Sequence, residues 1–532
     1  MQNLFLLWQT WRRRLPCPRP GASEPPLRAE LFSGEQLTRH ARTVAAGHQL
    51  ITQPSANRLL ARLDENEEVL RAFNRSTLAV NPSRHITPAA EWLLDNFYLI
   101  EEQVQLARRH LPRGYSRELP RLRHGLSAGL PRVYDIVLEL ISHVDAQIDA
   151  GPLGAFIAAY QTVHVLKLGE LWAIPIMLRL GLIENLQRIT TRLRVAREDR
   201  DLADSWVERL QDMAEQDPSR LVIVVADMAK ADLPVTSSFV AQFCLRLSRQ
   251  SPVLHLARSW LEERLVTQGL SIEQLVHQES QRQAADQVSV SHSIASLRFL
   301  SAMDWKEFVE TLSHVEAALR GDPAGVYASM DFPTRDRYRH AVESLSRHSR
   351  LEELAVAQGA IQLAAAQAAA KGPADRTAHV GYYLIDKGEA LLGRTVKVRW
   401  PWPTRLERGI HRCPLLFYAG GIALLTLLAT AGFDQRVGEL TGRGGRLIGF
   451  TLVFLLCASQ LAVALMNWLA TLLVKPRRLP RLDFSAGYFR LSSAIPSCAR
   501  CSNPRSSGAV ASGASRKSVR SAKCRCGSRL AS

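Results

Sequence analysis

Asp199-Arg200-Asp201 is the first pattern in this sequence that could do chemistry. An Asp-x-Asp pair can hold Mg²⁺ or Mn²⁺, and through the ion a diphosphate, because hard cations take oxygen ligands. That use needs a strand end that projects both carboxylates the same way. Here basic residues crowd Arg192–Arg200, and Leu202, Trp206 and Leu210 follow at steps of four. The context reads as a charged, solvated helix face. The cysteines Cys498, Cys501, Cys524 and Cys526 form a second pattern, since four thiolates complete a tetrahedral zinc shell. A zinc ribbon also needs two similarly spaced knuckles around an apolar core, and the residues between these pairs are mainly Ser, Ala, Gly, Arg and Pro. Fifteen histidines include no His-Glu-x-x-His or comparable metal spacing. His143, His164 and His340 are expected to be helix-packing or surface residues. No phosphate-cradling glycine loop occurs, and no Ser, Cys or Lys is flanked as an activated nucleophile would be. The sequence thus assigns no catalytic, cofactor-binding or metal residue.

The elements that would have to position any site are clearer. Pro414–Phe433 and Leu447–Val474 are uncharged apolar runs, the second with only Gln460 and Asn467 strongly polar. Twenty helical residues reach about 30 Å, the thickness of a bilayer core. The second run would reach about 42 Å and must tilt or end in the headgroups, where Trp468 suits the interface. A transmembrane hairpin is expected, joined by a loop over Asp434–Arg446. Lys397, Arg399, Arg405, Arg408 and Arg412 precede it, and Lys475, Arg477, Arg478 and Arg481 follow. The loop offsets Arg436, Arg443 and Arg446 with Asp434 and Glu439. The positive-inside bias then places both ends in the cytoplasm.

Ahead of the hairpin nearly everything reads as helix. Thr87 can cap a helix with Pro88 at its first position, and Leu93, Phe97, Ile100, Val104, Ala107 and Leu111 follow on one stripe. That spacing predicts one helix over Thr87–Leu111, stopped by Pro112 and Gly114. Asp217-Pro218 starts another helix, and Ser271 with Gln274 forms a capping box. Asp304 with Glu307 forms a third start, followed by Phe308, Leu312, Val315 and Leu319 at helical spacing. Leu221–Val225 suits a strand by composition, but its start signal favours helix. Ala355–Lys371 is a strong helix former ended by Gly372-Pro373. Breaks are expected near Gly151-Pro152 and Gly321–Pro323.

The expected fold is therefore all-α. A disordered lead-in (1–30) precedes a helical cytoplasmic domain (31–400), a membrane hairpin (414–433 and 447–474), a juxtamembrane linker (475–487) and a disordered tail (488–532). The chain has 532 residues and a net charge of +17. Nine of its 67 Lys and Arg lie in the tail, which has no Asp or Glu, and others flank the hairpin, so the charge is weak grounds for a nucleic-acid partner. Eight scattered cysteines fit a reducing compartment.

Pro26–Ser33 (PLRAELFS), Ile86–Leu122, Gln283–Leu300 (QAADQVSVSHSIASLRFL), Gly325–Glu343 (GVYASMDFPTRDRYRHAVE), His379–Gly388 (HVGYYLIDKG) and Leu479–Ser485 (LPRLDFS) resemble, in the same order, the bacterial cyclic β-1,2-glucan synthases. The resemblance covers roughly residues 26–487. It implies an inner-membrane, multi-pass protein whose full-length form polymerises glucose from UDP-glucose with a divalent cation. In that family a helical N-terminal region precedes a first hairpin, and the glycosyltransferase domain follows it. The match stops where that domain should begin, and the Ser/Arg-rich tail starts at the same place. The chain is expected to be the N-terminal fragment of such a synthase, ended by a frameshift or early stop. It would be inactive alone and would supply anchoring and docking to the missing catalytic domains. No catalytic residue of the family carries over. Arg399-Trp400 ends like a motif of processive glycosyltransferases, yet Val396 stands where Gln or Arg is wanted. Trp92, Asp95, Tyr98, Glu101 and Glu102 could form a docking surface or ordinary helix packing, and Arg335–Arg339 could meet anionic lipid or nucleotide. The rival reading is a stand-alone membrane-anchored interaction protein with the tail as its binding arm. Neither reading assigns a cofactor to this chain or fixes its oligomeric state.

Overall fold

A computed structural model of the protein describes residues 25–51, 58–79, 86–111, 119–231, 233–248, 255–401, 414–441, 445–473 and 481–482. The expected tail and its four cysteines lie outside them, as do residues 1–24 of the lead-in, the Pro112–Gly114 stop and most of the linker. The chain divides into two compact units, Met1–Ala317 and Ala318–Ser532. The described residues are overwhelmingly helical, as the patterning requires. The departure is a two-residue antiparallel ladder, β1 (Leu50–Ile51) with β2 (Arg121–Leu122), in which Leu50 pairs with Leu122.

The first unit begins with α1 (Gly34–Gly47), α2 (Arg58–Leu78), α3 (Pro88–Asp95) and α4 (Phe97–His110). Ser33 and Gln36 make a reciprocal capping box on α1. The single helix expected over Thr87–Leu111 is two. Asn96 breaks it with φ −109° and ψ 13°, its Nδ2 donating to Trp92 O and its Oδ1 accepting from Arg298. A short amide that can bond the backbone competes with the helix ladder, and here it wins. The stripe survives the break, since Leu93, Ile100, Val104, Ala107 and Leu111 are all buried.

Then follow α5 (Arg132–His143), α6 (Ala150–Gln161) and α7 (Leu168–Gln216), which is 49 residues long. Gly151-Pro152 does not divide the fold. It forms the first turn of α6 behind the N-cap Asp149, where proline costs no hydrogen bond. The first half of α7 is apolar almost all round and is enclosed, with Ile174, Met177, Leu178, Ile183 and Leu186 buried in the main core. Its second half is one-faced, and Ala203, Trp206, Val207 and Leu210 enter a separate core. That second core is completed by α8 (Leu221–Lys230), α9 (Ser237–Ser248), α10 (His255–Val266) and the start of α11 (Ile272–Ala302). The LVIVV stretch is helical within α8, as its Asp217-Pro218 start indicates; Asp217 caps Ser219 N through its carboxylate. Ser271 and Gln274 form the expected box on α11. After Asp304, which caps the N–H groups of Lys306 and Glu307, the expected helix is split by Ser313 into α12 (Trp305–Leu312) and α13 (His314–Leu319).

The second unit contains α14 (Phe332–Arg347), α15 (Glu353–Lys371), α16 (Gly381–Ile385), α17 (Glu389–Thr395) and two long helices, α18 (Pro414–Thr441) and α19 (Gly445–Leu473). Ala357, Ala360 and Ala364 present a fully buried face of α15. Gly372 ends that helix with φ +89°, a conformation only glycine takes without strain. The loop expected over Asp434–Arg446 is much shorter, because α18 continues helically through Asp434, Arg436 and Glu439 to Thr441.

Candidate functional site

The feature best equipped to act is the pair α18 and α19. Their contacts run antiparallel. Tyr418 Oη donates to Asn467 Oδ1 at 2.8 Å, Phe433 stacks on Phe454 at 4.1 Å, and Thr451 Oγ1 donates to Asp434 Oδ1 at 3.0 Å. Small residues line the seam. Ala458 and Ala462 are buried, and a Cβ on Gly421 would lie 2.7 Å from Met466 Cε. Small side chains let membrane helices approach closely enough for dispersion to hold them. Thr426 and Thr430, also buried, return their hydroxyls to Ile422 O and Thr426 O, which satisfies both within the helix.

The outer faces are the reverse of a soluble core. Leu415 is 81% exposed, and Leu428, Leu456 and Trp468 lie open as well. Apolar stretches of 22 residues (Leu415–Arg436) and 24 residues (Gly449–Leu472) run through them, and only 6% and 11% of the residues in their most apolar windows are buried. Core helices of soluble proteins bury such surfaces, and water does not tolerate contiguous apolar patches of this extent. At 1.5 Å per residue the spans reach about 33 and 36 Å, which matches a bilayer core with slight tilt. These are two helices long and apolar enough to cross a membrane. Both polar pairs, Tyr418–Asn467 and Asp434–Thr451, sit at the ends of the hairpin, where water and headgroups would be near.

The chain on either side of the hairpin bonds to the same small body. Before α18, Arg399 N donates to His348 O at the end of α14, and the Trp400 and His348 rings lie 4.9 Å apart. After α19, Asp331 N donates to Arg481 O, Arg481 N donates to Thr334 Oγ1, and Met330 bridges Leu482 at the start of α14. Beside the entry is a cleft of about 910 Å³ lined by Arg347, His348, Arg350, Lys397 and Arg399. Arg399-Trp400, read in sequence as half of a transferase motif, is part of this basic collar.

The stretches Gly325–Glu343 and His379–Gly388 meet around Asp322. Its Oδ2 accepts from His379 Nδ1 at 2.7 Å, and its Oδ1 accepts from Val380 N at 2.9 Å. Tyr338 Oη lies 3.4 Å from His379 Nε2. Burial alone would raise the Asp322 carboxyl, but the His379 and backbone hydrogen bonds outweigh it and hold the group below the usual range. Burial pushes the Tyr338 phenol up to about 12, so it stays protonated and donates. The result is a fixed carboxylate–imidazole–phenol chain that joins the start of α14 to α16. Local patterning cannot reveal it, because Asp322 and His379 are 57 positions apart.

In the first unit the buried polar groups also serve packing. Arg132 grips Glu170 through two bonds of 2.6 Å, both side chains almost wholly buried. Glu184 receives Arg62, Arg188 and Tyr134; burial favours its neutral form, but these partners prevail and keep it ionised. The two carboxylates of the Asp-x-Asp pair go to different partners. Two positions apart on a helix, they diverge. Asp199 accepts from Thr236 Oγ1 and Ser238 Oγ at 2.7 and 2.8 Å, while Asp201 pairs with Arg197. The face is thus a joint to the start of α9 and not simply a solvated surface.

His164 is exposed, as expected, and His340 is half-exposed between Asp336 and Glu343. His143 is buried against Phe32 with ring centroids 3.9 Å apart. Within Arg335–Arg339, Arg339 is fully buried beside Asp336 and over Phe332, which removes it from any lipid or nucleotide surface. Trp92 and Tyr98 are 43% and 65% exposed. Burial pushes the Cys244 thiol up to about 11, which leaves it unreactive.

No family model matches this chain. Over 431 residues it is 32% identical to cyclic beta-(1,2)-glucan synthase NdvB of Rhizobium meliloti (strain 1021). The alignment takes in 80% of this chain and 15% of that protein. The chain is related to NdvB along most of its own length and spans a small part of its relative.

Proposed function

We propose that this chain is the membrane-anchoring helical region of a cyclic β-1,2-glucan synthase, carried by a hairpin that crosses the bacterial inner membrane twice. The observation that carries the reading is a pair of outward-apolar helices in a chain that is 32% identical over 431 residues to a named synthase. Both flanks of the hairpin face the cytoplasm, a reading supported by the cationic collar on both sides and by the attachment of Arg399 and Arg481 to opposite ends of one helix. UDP-glucose and a divalent cation are handled by synthase domains that this region anchors and docks, and exposed Trp92 and Tyr98 belong to the docking face. By itself the chain is expected to transfer no glucose: the buried polar clusters named above among the described residues join helix to helix, and the chain spans 15% of the synthase it matches.

Membranes from cells making this chain alone, incubated with radiolabelled UDP-glucose, test the reading. The chain is expected in the alkali-resistant membrane fraction, with glucan synthesis no higher than in control membranes. Glucose transfer by the purified chain, or its release from membranes by alkali, would overturn it.

A further inference from the structure

We propose that His40, Glu139 and His143 form a divalent transition-metal site, with zinc the ion their donors suit best. Glu139 and His143 stand one helical turn apart on α5, and His40 reaches them from α1. His40 Nε2 lies 3.0 Å from Glu139 Oε2, and His143 Nε2 lies 3.7 Å from the same oxygen. One donor atom from each residue falls within 4.8 Å of the other two. Around a tetrahedral ion with bonds of about 2.0–2.1 Å, donors sit roughly 3.3–3.4 Å apart. The three groups are therefore within a few tenths of an ångström of that geometry on two edges.

The surroundings have the features that metal-ligating imidazoles require. His143 Nδ1 lies 2.7 Å from Glu30 O. A carbonyl oxygen only accepts, so Nδ1 carries a proton, and Nε2 is the ring nitrogen that faces Glu139 and can offer a lone pair to an ion. This is the backbone-carbonyl support that fixes the tautomer and orientation of metal-bound histidines. The rings are also held from the side. Phe32 stacks on His143 with an interplanar angle of 8° and meets His40 edge-on at 5.3 Å.

The donor set points to the ion. Two imidazoles and one carboxylate are ligands of zinc and its neighbours, whereas Mg²⁺ and Ca²⁺ prefer oxygen throughout. The side chains of His40, Glu139 and His143 are 23%, 38% and 11% exposed, so the ion can enter from solvent and keep a water as its fourth ligand. Its effect would be mechanical. It ties α1 to α5 and, through Glu30 and Phe32, fastens the segment before α1, which already bonds α5 from Ala29 N to Ser142 O and from Phe32 N to His143 O. The competing account is a metal-free hydrogen-bonded trio.

The test uses the full chain in detergent, stripped with a chelator, with Cys498, Cys501, Cys524 and Cys526 changed to serine so that thiolates do not compete. Titration with Zn²⁺ is expected to show one ion per chain and a higher melting temperature. His40→Gln and His143→Gln should each weaken binding by more than the roughly 10–100-fold typical of supporting residues. X-ray absorption of the zinc-loaded chain without these His substitutions needs no refolded variant, and should show a nitrogen and oxygen shell with two imidazoles. Cobalt in its place should give tetrahedral d–d bands without thiolate charge transfer. Substoichiometric zinc, a shell with fewer than two imidazoles, or equal affinity in both folded variants would overturn the proposal.

Discussion

Single residues in this protein act mainly as fasteners, and their strength follows from how completely they are enclosed. Gly381 shows the limit of tolerance. A Cβ there would sit 2.8 Å from His379 Nε2 and still closer to Tyr338, both members of the chain that ends at Asp322. Gly381→Ala is expected to cost about 1–3 kcal/mol through overpacking, read as a lower melting temperature of the full chain. Arg132→Ala should cost more, about 3–5 kcal/mol, because it leaves Glu170 buried without its arginine partner; denaturant unfolding measures it. His340 supplies a pH test. Hydrogen bonds to Asp336, then Glu343, raise its pKa from the ordinary 6.5 to about 10. A raised folded-state value means that the stabilisation is fully present below 6.5 and is lost as pH rises through about 10. The same contacts keep Asp336 and Glu343 low, so their share is lost on acidification. Melting temperatures should therefore fall between neutral pH and pH 10, and His340→Gln should flatten that fall.

At the scale of elements, hydrophobic spacing and start signals carried much of the reading, while tertiary polar contacts set the breaks. The buried stripe from Leu93 to Leu111 is periodic and visible, yet the helix parts at Asn96 because Arg298, 202 positions away, holds its amide. Asp199 reads in sequence as part of a charged, solvated helix face, and the fold sets Thr236 and Ser238 against it. The Asp322–His379–Tyr338 chain and the His40–Glu139–His143 cluster were illegible for the same reason: their members come from distant positions that only packing brings together. Caps, by contrast, are local and were readable. Ser271→Ala should destabilise by about 0.5–2 kcal/mol, since the Gln274 N–H loses its acceptor; loss of protection at the start of α11 in hydrogen exchange would register it.

For the whole molecule, the hairpin gives the rest its setting. It was legible because uncharged runs of this length have few other uses, and the fold adds that their outer faces remain open while small residues close the seam. The chain before and after the two helices returns to one body, bonding near His348 and Thr334. Whether that hairpin crosses a membrane decides the proposed function. In a background lacking the native cysteines, Arg443→Cys and Ser205→Cys are introduced one at a time, and intact spheroplasts are treated with a membrane-impermeant maleimide. The account predicts labelling of position 443 from outside and of position 205 only after the membrane is opened. Equal labelling of both positions in intact spheroplasts, or protection of position 443 until lysis, would contradict it.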